Sequence, residues 1–180
     1  MSKITLAIQA TLCTSLLIAT CALSQQPATA PQAPVPSALR TATRIFVSNA
    51  GADSGLFPSP FSGDTSRGYT QLYAGLKANG QYQLVDDPSD ADLVLELQLT
   101  SPSGSTRSID VNKINGAAEP VPQFRLVVYD RKTHYILWTL TRSIEIAFLQ
   151  KTHDHNFDDA LTMLLLEFES LTGKTPPGSR

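Results

Sequence analysis

Sulfur chemistry is almost missing from this chain. Its two cysteines, Cys13 and Cys21, both fall within residues 1–24. A chain that begins after them has no thiol for a disulfide, a nucleophile or a cysteine metal site. An excess of positive charge is missing too. Of 14 basic residues one, Lys3, lies in that first segment, which leaves 13 scattered along the chain against 16 acidic ones, a balance near −3. Nucleic acid as a partner calls for a basic patch or stripe, and there is none. No G-x-S-x-G elbow occurs, and only three histidines could serve a serine triad. The glycine-bearing run Asn49 to Gly55 follows a strand pattern, but Leu56-Phe57-Pro58-Ser59-Pro60 comes next. A phosphate loop would need a helix starting there at once, so that its amides point at the anion.

A long hydrophobic run occurs once, at the start. Met1-Ser2-Lys3 leads into an apolar stretch from Ile4 to Leu23, interrupted by Gln9 and small hydroxyl residues. This is the pattern of an export signal, although about 20 such residues could also span a bilayer. The end of the run separates the two readings. Ala22-Leu23-Ser24 places small residues where a signal peptidase reads, and Gln25-Gln26 follows without a basic stop-transfer cluster. Residues 1–24 are therefore read as a signal peptide cleaved between Ser24 and Gln25, and the product as periplasmic or secreted. The alternative is lipidation at Cys21 and attachment to the membrane, although Thr20 stands where lipoprotein signals carry Gly, Ala or Ser. Residues 25–40, with Pro27, Pro31, Pro34 and Pro36 among Ala and Gln, lack the large apolar groups that offset ordering entropy and are read as a disordered leader.

The rest, 42% hydrophobic and 17% charged over the whole chain, suits one domain over residues 41–173 with a disordered tail at 174–180. Arg44 to Ser48 reads as a short strand, and Asn49 to Gly63 as a long loop carrying Leu56, Phe57 and Phe61. Asp64 or Thr65 can cap a helix with Tyr69, Leu72, Tyr73 and Leu76 on one stripe, stopped at Gly80. Tyr82 to Val85 is a short strand. Asp92 to Thr100 alternates, with Leu93, Leu95, Leu97 and Leu99 on one face. Ser108 to Val111 could add an edge strand within a polar excursion over residues 101–120. Gln123 to Asp130 and His134 to Ile146 form a hairpin about Asp130-Arg131-Lys132-Thr133. A final helix starts near Asn156, a good N-cap, and carries Phe157, Leu161, Leu164, Leu165, Phe168 and Leu171 to Gly173. The expected fold class is α+β: a single mixed, mostly antiparallel sheet of about five strands with two helices packed on one face.

The helix closing at Gly80, the phrase Asp90-Ala91-Asp92-Leu93-Val94 opening a strand, the hairpin Leu126 to Thr133, Leu137-Trp138 and the closing helix together resemble a known arrangement. In that order they are similar to uncharacterised exported domains of bacterial envelopes, among them lipoproteins grouped as domains of unknown function. The layout is also similar to the small domain that precedes the propeller in the Tol-system propeller family. The sequence departs from the lipoproteins at Thr20-Cys21 and at Thr139, where they place a basic residue after the tryptophan. The resemblance implies an envelope domain with no assigned activity.

Candidate chemistry is sparse. His153-Asp154-His155, followed by Asp158 and Asp159, is a grouping in which a His-x-His pair in an extended loop could hold zinc, although a third ligand is missing. The plainer reading is a polar loop leading into a capped helix. Asp86, Asp87, Asp90 and Asp92 invite calcium, but without the spacing of an EF-hand they read as turn chemistry. Trp138, Tyr135 and Tyr129 could stack on a sugar or peptide, or simply belong to the core. Leu56, Phe57 and Phe61 either fold back over the sheet or form a partner-binding patch. The sequence thus points to an exported nonenzymatic domain that binds another envelope protein or polymer, with no cofactor and no nucleic acid. The alternative is a zinc-dependent enzyme built on His153 and His155.

Overall fold

The computed structural model of the protein describes residues 33–102 and 121–174. Strand β1 (Arg44–Ala52) lies parallel to a two-residue strand β2 (Gln83–Leu84) on one side and to β3 (Leu93–Thr100) on the other. β3 pairs antiparallel with β4 (Gln123–Asp130), and β4 pairs antiparallel with β5 (Ile136–Ser143). The order across the sheet is β2-β1-β3-β4-β5. Two long helices, α2 (Arg67–Asn79) and α3 (Gln150–Thr172), pack against it. The fold is a single-sheet α+β architecture, mixed and mostly antiparallel, as the hydrophobic patterning requires.

Leucine at every second position of β3 explains why the sheet is one-sided. Leu93, Leu95, Leu97 and Leu99 are buried, while Val94, Glu96, Gln98 and Thr100 stay partly exposed. Burying a leucine contributes about 2 kcal/mol, so a slip of one residue would turn four of them to the wrong face. Phe124, Leu126 and Val128 of β4 continue the layer. Leu72 and Leu76 of α2 close it from above, together with Phe157, Leu161, Leu164 and Phe168 of α3. Each helix ends at a glycine in the left-handed region, Gly80 at φ 68° and Gly173 at φ 72°, where a side chain would be strained. No helix among the described residues is long and apolar enough to cross a membrane.

Several boundaries differ from the sequence reading. The end of the proline-rich leader is ordered: Ser37–Thr41 forms a short helix, α1, and its Leu39 is fully buried. One leucine after four prolines is too little for a periodic pattern, but it is enough to seal the core. β1 continues past Ser48 to Ala52, with an irregularity between Asn49 and Ala52. α3 begins at Gln150 instead of near Asn156, and Asn156 lies inside the helix, its Nδ2 donating to the Glu145 carbonyl at 2.9 Å. The polar run 150–156 is helical because tertiary contacts hold it: Gln150 Nε2 donates to the Pro60 carbonyl at 2.6 Å and Asp154 accepts from Ser62 N–H at 2.9 Å. Lys174, read as part of the tail, lies over the Tyr82 ring at 4.2 Å and donates to the Ala42 carbonyl. The edge strand expected at Ser108 to Val111 falls outside the described residues.

Candidate functional site

The helical start of α3 decides what its histidines can do. Residues two apart on a helix point about 200° from each other, so His153 and His155 cannot share an ion from one side. His153 is buried, and its Nδ1 accepts from Ala147 N–H at 3.2 Å while the ring meets Phe61 edge-on at 6.3 Å. His155 is exposed and faces Asp159 at 3.2 Å. The extended-loop geometry expected for a zinc pair is thereby replaced by a helical one that separates the rings. Among the described residues no three His, Cys, Asp or Glu side chains converge on a metal position.

The loop with three large apolar residues folds inward. Leu56 and Phe61 are buried and Phe57 is half-buried. Phe61 lies 5.2 Å and Phe57 6.3 Å from the Phe157 ring, which in turn meets Phe124 edge-on at 4.9 Å. The alternative in which Leu56, Phe57 and Phe61 present a patch to a partner gives way to packing, because four rings bury more area against each other than a loop tip could. Arg67 pins this loop to α3. Its Nη1 donates to Asp154 Oδ1 at 2.5 Å and to the Ser62 carbonyl at 3.0 Å, its Nη2 donates to Asp158 Oδ1 at 2.7 Å, and the guanidinium sits 4.3 Å over Phe157. Burial opposes ionisation of Asp154, but donation from the Ser62 N–H and the Arg67 guanidinium outweighs it and holds that carboxyl well below the usual carboxylate range.

Two of the four aspartates of the 86–92 turn, Asp87 and Asp92, are spent on backbone. Asp87 caps the 3-10 turn Pro88–Asp90 by accepting from Ser89 N–H at 2.7 Å. Asp92 Oδ2 accepts from the backbone N–H of Arg44 at 2.9 Å and of Thr43 at 3.0 Å, and its Oδ1 meets Arg44 Nη2 at 3.2 Å. Those backbone donations hold the Asp92 carboxyl far below its ordinary value.

What remains is the sheet face opposite the leucines. Register places Val94 beside Tyr129, Glu96 beside Val127 and Gln98 beside Arg125, with Thr139 and Thr141 of β5 continuing the same rows. Where β3 and β4 meet the Pro88–Asp90 turn, this face carries a shallow depression of about 690 Å³. Glu96 and Tyr129 form its floor, and Arg131, Lys132 and His134 of the β4–β5 turn its rim. Tyr129 Oη donates to Glu96 Oε1 at 3.4 Å. Burial, and then the negative charge of Glu96, push the Tyr129 phenol above its usual range. Asp130 Oδ1 accepts from the N–H groups of Lys132 and Thr133, both at 2.8 Å, and His134 takes a left-handed φ of 60°. The turn that carries the cations is thus held in one shape. The three aromatics of this hairpin separate: Tyr129 lies in the depression, Tyr135 is exposed, and Trp138 packs against the core. Sequence reasoning did not locate the depression, since its floor depends on the pairing of β3 with β4. The available signal was the polar half of the alternating strand, Glu96 above all.

No family model and no curated protein matches the chain. Among solved structures it is similar to the PelC dodecamer from Paraburkholderia phytofirmans, at 14% identity over 80% of this chain and 94% of that one, with a TM-score of 0.40. It is similar to protein XCC0632 from Xanthomonas campestris, assigned there to the family model DUF330, at 11% identity over 74% and 84% with a TM-score of 0.42. It is also similar to the LpoB C-terminal domain from Salmonella enterica, at 14% identity over 58% and 83% with a TM-score of 0.35. At these identities and TM-scores the likenesses are partial overlaps of layout, and they assign neither a family nor a partner to this chain.

Proposed function

We propose that the chain is an exported, nonenzymatic domain of the cell envelope that holds another envelope component against the open face of its sheet. The observation that carries this reading is the depression floored by Glu96 and Tyr129 and rimmed by Arg131, Lys132 and His134. A half-buried aromatic ring beside a carboxylate, with Arg131 and Lys132 carried on a turn whose backbone Asp130 holds, offers stacking, acceptance and donation within one shallow surface. That suits a polar polymer or a protein loop better than a small molecule, which needs deeper enclosure. The segment 1–24, read as an export signal, supplies the compartment.

The test is a photoreactive residue placed at Arg131 on this face, and another at Asp159 on the exposed side of α3, in protein exported by its native host. The expected result is an adduct of one discrete mass from position 131 and none from position 159. No adduct from position 131, or the same adduct from both, would overturn the assignment of this face.

A further inference from the structure

Large apolar side chains that the core does not take up gather between β5 and α3, where the chain runs Ile144-Glu145-Ile146-Ala147-Phe148-Leu149. Ile144 is buried, but Ile146 is 51% exposed, Leu149 68%, and Phe148 as fully as in an unfolded chain. Single exposed apolar residues are ordinary on a surface, whereas three within four positions mark a place where something binds. The contrast with the other aromatic loop is direct. Phe57 and Phe61 turn in toward Phe157, and Phe148 turns out.

The segment projects in a held shape. Ala147 N–H donates to His153 Nδ1 at 3.2 Å, and Asn156 Nδ2 donates to the Glu145 carbonyl at 2.9 Å. The Leu149 carbonyl accepts from the N–H groups of Thr152 at 2.9 Å and His153 at 3.0 Å. Polar backbone groups satisfied from within the chain are what an apolar medium demands, since hydrocarbon offers them no partner. Charge beside the tip is balanced, with Glu145 on one side and Lys151 on the other, both exposed.

We infer that this tip, Ile146 with Phe148 and Leu149, inserts into the interfacial layer of a lipid bilayer through apolar burial, without selecting anionic headgroups. Its size argues for lipid over protein. The three side chains offer roughly 400 Å², about half of what each member of a stable protein pair covers. A fluid bilayer needs no such area and no matching groove, because its acyl chains close around whatever enters.

Trp138 is the only tryptophan of the chain, so a single indole can be moved to the tip by Phe148→Trp with Trp138→Phe. Both are made in a chain carrying Cys21→Ser, so that no acyl anchor brings the domain to the bilayer by another route. The exported protein is mixed with phosphatidylcholine vesicles whose acyl chains carry bromine, and with vesicles that also contain phosphatidylglycerol. Emission from position 148 should shift to the blue and be quenched, to the same extent in both lipids. Tyr135→Trp with Trp138→Phe places the indole at an exposed site before β5, at the other end of that strand, and should show neither effect. Flotation with vesicles measures how the Cys21→Ser chain partitions, and adding Phe148→Ser with Leu149→Ser should weaken that partition about hundredfold. Circular dichroism checks that each variant folds. Absence of quenching at position 148, equal quenching at position 135, quenching that requires phosphatidylglycerol, or unchanged partition of the double-serine variant overturns the inference. So does a dimer in sedimentation that the double-serine variant loses, which would assign the tip to a second copy of the chain.

Discussion

Arg67 ties together three segments distant in sequence: the Phe61 loop, the start of α2 and the first turns of α3. Its side chain is 15% exposed and meets two carboxylates, a carbonyl and an aromatic face at once. A planar fork can serve all of these, whereas an ammonium can serve only one carboxylate well. Arg67→Ala leaves Asp154 facing the loop without its cation, and we expect it to cost about 2–3 kcal/mol, discounted from a fully buried pair because Asp158 is half-exposed. Arg67→Lys should cost about 1–2 kcal/mol, since charge is kept but the fork and the stacking over Phe157 are lost. Urea unfolding measures both. Equal stability of native and lysine forms would show that charge alone, not geometry, holds the loop.

At the scale of elements, two glycines of α2 face opposite fates on substitution. A Cβ at Gly68 would stand 3.0 Å from Phe124 Cε1, and that ring is fully buried and wedged edge-on against Phe157. A Cβ at Gly75 would come still closer, 2.7 Å, but to Leu165 Cδ2, the far end of a half-buried flexible side chain. Alanine gains about 1 kcal/mol over glycine in helix propensity at either site. Gly75→Ala should therefore be close to neutral, with Leu165 turning away. Gly68→Ala should destabilise by about 1–2 kcal/mol net, because the ring cannot yield without displacing its neighbours. Thermal unfolding of the two variants separates them, and a Gly68→Ala variant as stable as native would mean that the ring layer is looser than its packing indicates. The same contrast explains what the sequence could disclose. The leucine alternation of β3 and the stripes of α2 and α3 are local signals strong enough to read directly, and they carry the sheet, its helices and the core. The first turn and a half of α3 was not legible, because its polar residues become helical only through Pro60, Ser62 and Arg67, far away in the chain. Leu39 was hidden for the same reason. The depression at Glu96 and Tyr129 needed the register of β3 on β4, which no single strand contains.

For the whole molecule, the compact unit begins at Pro34. A chain starting at Thr41 loses the buried Leu39 and should lose about 2–3 kcal/mol, with the unfolding temperature falling accordingly. Acid sensitivity is the other property that belongs to the entire fold. Asp92 joins β1 to the start of β3, and Asp154 joins α3 to the loop and α2, and both carboxyls titrate far below the ordinary value in the folded chain. In the unfolded chain they return to about 3.9. The unfolded state therefore binds more protons in between, and stability rises with pH across that window. The contribution is fully present above about pH 5, shrinks as pH falls through the unfolded value, and is gone only below the folded one. The unfolding temperature should stay level from about pH 7 to 5 and fall steeply from about pH 4 to 2. Asp92→Asn and Asp154→Asn together should lower stability at pH 7 and flatten the acid fall, because the groups that take up protons on unfolding are no longer there. A double variant whose acid slope matches the native one would place the acid-sensitive groups elsewhere in the chain. That outcome would remove the Asp92 contact between β1 and β3, and the Asp154 contact of α3 with the loop and α2, as the source of the acid sensitivity.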